Sequence, residues 1–302
     1  MLDASAIKKR FNSTPLAKVV SSIIVKNSRV FITFEINSPN EQSMLEEETR
    51  SILQDIPKDS VHFIFTNKDL NAPKPKLLIN NVKNIILVSS GKGGVGKSTI
   101  ALALAKKYKN AGYKVGILDA DIYGPSIPRM LSIDQKPIIA NGKFIPIESD
   151  GILVISAGLL VEKDVSMAWR GPMISKILYQ MLSSTDWQDL DYLVVDMPPG
   201  TGDIHLSILE NYKVEGVWIV TTPQKLSMDD VARAIELYVK FSIPIIGIIE
   251  NMSDIFNGHA GLELSKRYGI QNLINIPYIK EISINADLGI EYEHLIELDS
   301  LL

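Results

Sequence analysis

The 302-residue chain contains no cysteine. Disulfides, thiolate metal sites and cysteine nucleophiles are therefore excluded within it. Long apolar runs are also missing. Stretches such as Ile85–Val88 and Ile243–Ile249 are far shorter than the roughly 18 residues that cross a bilayer as a helix. Residues 1–13 carry three basic side chains with no apolar stretch behind them, so no secretory signal is expected and the chain reads as cytoplasmic. A positive field is lacking too, because 31 basic residues face 35 acidic ones for a net charge of −4. Nothing global draws such a chain to nucleic acid or to anionic lipid. The short run Lys8-Lys9-Arg10 reads as a solvated face.

What is present suits a globular protein: 46% hydrophobic and 22% charged residues, enough for one large domain or two unequal ones. Residues 1–66 read as a small α/β domain. Val30–Ile36 and Val61–Phe65 are rich in β-branched and aromatic residues and predict strands, Glu41–Leu53 has helical spacing, and Thr14–Val25 mixes the two signals. Residues 67–80, with Pro73 and Pro75, read as a linker. From 81 to 302 the pattern becomes strand, turn, helix, repeated. Asn84–Ser89 predicts a strand, Lys97–Lys109 a helix closed by Gly112, and Tyr113–Leu118 a strand ending at Asp119. Ile152–Ile155, Tyr192–Val195, Val217–Val220 and Pro244–Ile249 are nearly continuous apolar runs, with helical stretches at Gly171–Leu182 and Leu226–Phe241. Buried parallel strands have this character because helices cover both faces of their sheet. The expected fold is α/β, a doubly wound, mostly parallel sheet, with ligands at the carboxyl ends of its strands.

One such end carries Gly91-Lys92-Gly93-Gly94-Val95-Gly96-Lys97-Ser98, followed by Thr99. Glycines at both ends of four residues, then lysine and serine, between a strand and a helix, form a complete P-loop. Without side chains in the way, backbone N–H groups turn inward around phosphates, and the helix directs its positive end at the same anion. Lys97 is expected on the β- and γ-phosphates and Ser98 on Mg2+. Two further strands end in carboxylates, Asp119 with Asp121 close behind, and Asp196. A carboxylate just past an apolar strand is the Walker-B arrangement, which assigns Asp196 to the Mg2+ shell.

These residues resemble the Mrp/ApbC group of deviant Walker-A ATPases, relatives of MinD, ParA and NifH. Lys92 directly after the first glycine is the group's mark. Asp119-Ala-Asp-Ile-Tyr-Gly-Pro-Ser126, Trp169-Arg-Gly-Pro-Met173, Asp191-Tyr-Leu-Val-Val-Asp-Met-Pro-Pro-Gly-Thr-Gly-Asp203, Thr221-Thr-Pro-Gln224 and Glu250-Asn-Met-Ser253 carry the rest. The resemblance implies an ATP- and Mg2+-dependent homodimer that transfers iron–sulfur clusters to recipient proteins. It makes Lys92 a cation reaching the partner's phosphates, Asp121 the carboxylate that orients the attacking water, and Asp203 part of a second switch segment. It makes Asn251 the adenine reader and places Pro277 at the base pocket. The catalytic set so implied is Lys92, Lys97, Asp121 and Asp196.

The chain departs from that pattern after Ser253. Relatives usually carry two cysteines there, separated by two residues, as cluster ligands; this chain continues Asp254-Ile-Phe-Asn-Gly-His-Ala-Gly261. Clusters are held mainly by thiolates, so no cluster ligand is assigned, and His62, His205, His259 and His294 are scattered. An alternative is a cluster-free, nucleotide-gated switch that binds partners; a ParA- or MinD-like spatial organiser fits the acidic balance less well. Neither nucleic acid nor membrane is expected as a partner. Trp169-Arg170 reads as a turn before a helix, Met173, Met181 and Met197 as core filler, and Lys106, Lys107 and Lys109 as a solvated helix face. The tail from Glu291, alternating acidic and apolar residues, reads as packed or frayed rather than as a membrane helix.

Overall fold

The computed structural model describes residues 3–12, 14–26, 29–36, 38–67, 76–160, 171–225 and 228–296. Trp169-Arg170, most of the 67–80 segment and the last six residues lie outside the described residues. The chain divides into two compact units, Met1–Pro75 and Lys76–Leu302.

In the first unit, helices α1 (Ala4–Phe11) and α2 (Gln42–Ile52) accompany strands β1 (Val20–Lys26), β2 (Arg29–Ile36) and β3 (Val61–Asn67). The sheet order is β1-β2-β3, antiparallel then parallel. Val30, Ile32, Phe34 and Ile36 alternate along β2 and are all buried, with Ile7 and Phe11 of α1 and Leu45 of α2 in the same core. Period-two apolar placement is what directs one face of this strand inward. Thr14–Val25 resolves into a short 3-10 turn, Pro15–Lys18, followed by β1.

The second unit contains β4 (Val82–Ser90), α3 (Lys97–Asn110), β5 (Val115–Asp119), α4 (Ile127–Met130), β6 (Ile138–Ala140), β7 (Lys143–Ile145), β8 (Ile147–Ser149), β9 (Ile152–Ser156) and α5 (Ala157–Leu160). It continues with α6 (Gly171–Ser183), β10 (Leu190–Asp196), α7 (Asp203–Asn211), β11 (Gly216–Thr221), α8 (Met228–Lys240), β12 (Ile245–Asn251), α9 (Ala260–Tyr268), β13 (Leu273–Ile276) and α10 (Lys280–Leu288). Eight strands form one sheet in the order β13-β12-β11-β4-β10-β5-β9-β8. Every pair is parallel except β8 with β9. The expected α/β doubly wound architecture is therefore the observed one.

Neighbouring residues of one strand enter opposite cores. Ile85 and Leu87 of β4 join Leu178 of α6, Ile208 of α7 and Ile235 of α8 on one face. Ile86 and Val88 join Ile100, Leu104 and Tyr108 of α3 on the other. A strand buried on both sides reads as a continuous apolar run for this reason.

Two expectations change and a third is narrowed. Lys106 is not solvated: α3 is covered on nearly every side, and the Lys106 side chain, 7% exposed, pairs with Asp150 at 3.5 Å, where Lys109 also bonds at 3.1 Å. An aspartate at the tight β8–β9 turn gives that lysine a reason to be inside. Met181 and Met197 are fully buried, but Met173 on the first turn of α6 is exposed. The chain after Glu291 is packed over 292–296: Tyr292 and Ile296 are buried, and the Tyr292 hydroxyl donates to the Thr99 carbonyl at 3.1 Å.

Candidate nucleotide site

β4 is the strand from which both halves of the sheet wind, with β10 on one side and β11 on the other. Its carboxyl end is thus a crevice where the strand order reverses, and such crevices receive ligands. The chain leaves β4 at Ser90, turns through residues 91–96 and enters α3 at Lys97. Three glycines are required by geometry. Gly94 and Gly96 have φ +78° and +83°, in the left-handed region. A Cβ on Gly91 would lie 2.5 Å from the backbone of Asp230 and of Val231, because α8 passes directly over the loop.

Strand register brings the carboxylates to this loop. Asp196 is paired with Val88 on one side and with Asp119 on the other. Both aspartates are completely buried. Lys97, also buried, donates from Nζ to Asp196 Oδ1 at 2.5 Å and lies 3.4 Å from Ser98 Oγ. Asp196 Oδ2 is buried with no hydrogen-bond partner. Burial raises the pKa of Asp196, and the Lys97 ammonium opposes that rise. Asp119 is pushed up to about 7, first by burial and then by the neighbouring Asp196 charge.

Asp119 organises the segment behind it. Its Oδ2 accepts from Ser126 N at 3.1 Å, Ile127 N at 3.2 Å and Ser156 Oγ at 3.0 Å, and its Oδ1 from Asp121 N at 3.2 Å. Asp121 is left half-buried, its own Oδ1 accepting from Gly124 N at 3.1 Å. A cleft of about 340 Å³ runs from the P-loop, past Asp121 and Pro199, to Arg129 of α4 and Asp287 of α10. Lys92, Gly93, Gly94, Gly96, Lys97, Ser98 and Thr99 all line it. Val95 is buried beneath the loop.

Lys92 and Asn251 are tied to other elements. Lys92 Nζ donates to Gln224 Oε1 at 2.7 Å, just beyond β11. Asn251, the last residue of β12, donates from Nδ2 to the Val95 carbonyl at 2.9 Å. Pro277 follows β13, is exposed, and is not among the residues lining the cleft. Asp203 begins α7 and is exposed.

The family model of ParA-like, NUBPL iron-transfer P-loop NTPases matches residues 81–297. The chain belongs to this family. It is accordingly a P-loop NTPase. A relative named iron-sulfur cluster carrier protein, from Rickettsia bellii, is 46% identical over 293 residues, covering 95% of this chain and 92% of the relative. Among solved structures, a nucleotide-binding protein from Archaeoglobus fulgidus in complex with ADP is 34% identical, with a TM-score of 0.60 over 70% of this chain and 88% of that one. The cell division ATPase MinD of Pyrococcus furiosus has a TM-score of 0.56 at 21% identity, over 68% of this chain and 88% of that one, and shares the fold.

Within this ParA-like NTPase, the segment that lacks cysteine is tied to its neighbours at a few points. Ser253 N donates to the Ile276 carbonyl at 2.9 Å, and Asp254 Oδ1 accepts from Tyr278 N at 2.6 Å. Gly258 sits against the Pro223 backbone with no room for a side chain. His259 precedes α9 and is exposed. Among the described residues, no group of three or more histidine, aspartate or glutamate side chains is placed to hold a metal ion. No described helix is long and apolar enough to cross a membrane.

Two features of the site were not singled out from sequence. Gln224 entered only as the end of a motif, and its bond to Lys92 depends on β11 lying next to β4. His205 entered only as one of four scattered histidines; it is fully buried, and burial together with the Lys97 charge lowers its pKa to about 4. The Asp-Ile-His spacing at the start of a helix was its available signal.

Proposed function

We propose that this chain is an ATP-hydrolysing homodimeric switch that carries iron–sulfur clusters to recipient proteins, acting in the cytoplasm, with the cluster's ligands supplied by other molecules. The observation that carries the nucleotide part is the buried Lys97–Asp196 pair beneath the P-loop. A lysine ammonium held on a Walker-B carboxylate sits one short movement from the phosphates it is built to bind, and phosphate oxygens replace the carboxylate as its partner.

Mg2+ fits the residues present. Asp196 Oδ2 is a buried acceptor without a partner, and the Ser98 hydroxyl is beside the Lys97 ammonium. Ser98 and Asp196 would hold the ion together with phosphate oxygens, since Mg2+ normally takes only one or two protein carboxylates there. When bound, it neutralises charge on the β- and γ-phosphates. Asp121 orients the attacking water from the opposite wall of the cleft, held by the hydrogen-bond set of Asp119. Lys92 reaches the partner's nucleotide when it leaves Gln224, a neutral acceptor that gives it up at lower cost than a carboxylate would. Asn251 and Pro277 flank the adenine: their strands are paired with Asn251 opposite Ile276, one residue before Pro277.

The cluster is cargo in this reading. The relatives' name supports carriage, and the absence of cysteine places the ligands on the donor, the recipient or a small thiol. Calorimetric titration with ATP and Mg2+ tests the nucleotide assignment. Lys97→Ala is expected to weaken ATP by about 100-fold, the loss of a charge-assisted phosphate contact; unchanged affinity would refute it.

A further inference from the structure

His205 is a buried titratable side chain that the nucleotide chemistry above leaves unused. It lies on the first turn of α7, two residues after Asp203, fully buried, yet neither ring nitrogen has a hydrogen-bond partner. Two hydroxyls in its surroundings are in the same condition. Tyr238 of α8 meets the imidazole edge to face, with ring centres 6.4 Å apart, and its phenol oxygen is buried without a partner. Ser89 of β4, also fully buried, is a weak hydrogen-bonding neighbour of the Tyr238 phenol, though neither hydroxyl meets full hydrogen-bond geometry.

The three side chains come from β4, α8 and α7. Ser89 is two residues before Gly91. Tyr238 is on the helix whose backbone closes over Gly91. His205 is on the helix that begins where the segment after Asp196 ends. Each unpaired buried polar group costs about 1–3 kcal/mol, and native interiors leave few of them. An apolar filling would avoid that cost. Their concentration beside a nucleotide site is what a two-state element looks like when one of its states is in view. Burial and the Lys97 charge keep the imidazole neutral, so it offers one donor and one acceptor.

We propose that His205 is a positioning residue for nucleotide turnover: its imidazole pairs with the Tyr238 phenol when α7 moves, fixing the Asp203 segment against α8 in the hydrolysing arrangement. While Lys97 is held by Asp196, the pair is unmade. When Lys97 turns to the phosphates, the end of β10 is released and α7, which follows it, is free to shift. The pairing then stabilises the second arrangement relative to the first. This rests on the reading of the site as an ATPase.

The test is ATP affinity, steady-state turnover and melting temperature for the full chain and two variants. His205→Leu is expected to bind ATP within about twofold of the parent, to turn over about five- to tenfold more slowly, and to melt no lower. His205→Gln, which restores a donor and an acceptor, recovers most of the turnover. Parental turnover in His205→Leu overturns the proposal, as does His205→Gln being no better than the leucine. Should His205→Leu fail to fold, Tyr238→Phe removes only the hydroxyl: a several-fold slower turnover at unchanged affinity supports the pairing, and parental turnover overturns it. A parent chain that binds ATP without hydrolysing it defeats the ATPase reading itself, and this proposal with it.

Discussion

The carboxyl edge of the sheet carries two regions of opposite character. At the ends of β4 and β10, residues 91–98 and Asp196 hold a full set of phosphate-binding groups, with Lys97 buried on Asp196 at 2.5 Å. After β12, residues 252–259 hold no thiolate, are fastened to β13 by Ser253 and Asp254, and leave His259 exposed. The first region holds a buried ion pair with one carboxylate oxygen left unpartnered, as a site that must change partners does. The second is tied down at Ser253 and Asp254 and has little chemistry to offer. In the proposed reading, nucleotide switching rests on the chain's own residues and the holding of cargo on ligands from outside.

Substitutions sharpen this contrast. The largest effect belongs to Asp121→Ala, which is expected to lower turnover by about 100-fold or more, as removal of a water-orienting or proton-accepting group does, with ATP affinity retained. Steady-state kinetics beside equilibrium binding separates the two quantities. An effect of similar size is on stability against pH. His205 has a folded-state pKa of about 4, below its ordinary 6.5, so the stability present above pH 6.5 is lost as pH falls toward 4. Denaturant melts of the parent and His205→Leu should diverge over that window by roughly 3 kcal/mol, the parent losing more. The smallest effect is in the second region. His259→Ala should change turnover and melting by no more than about twofold and 0.5 kcal/mol, since its side chain is exposed. A large loss in either would show that the loop does more than connect β12 to α9.

The same contrast governs what was legible in the sequence. The P-loop could be read in full because glycine spacing, the preceding apolar strand and the following helix all refer to one local event. The central strands were legible from their apolar runs. The short strands were not: β8 and β13 at the sheet edges and the separate β6–β7 pair are three or four residues each, too short for periodicity to register. Lys106 looked solvated because lysine usually is; its burial depends on Asp150 arriving from a distant turn. Met173 looked internal because its helix is apolar, and only the packed fold shows which side faces out. The Lys92–Gln224 bond and the His205–Tyr238 contact join residues 132 and 33 positions apart, and strand order alone brings such pairs together. Absence was the most legible feature of all, since missing cysteine excludes thiolate ligands whatever the fold.

Anaerobic incubation with iron and sulfide, with and without glutathione and in the presence of ATP and Mg2+, tests this division most directly, read by visible absorption and bound iron after gel filtration. The account predicts no retained iron without the added thiol and a retained cluster chromophore with it. Stoichiometric iron on the chain in the absence of any added thiol would contradict it.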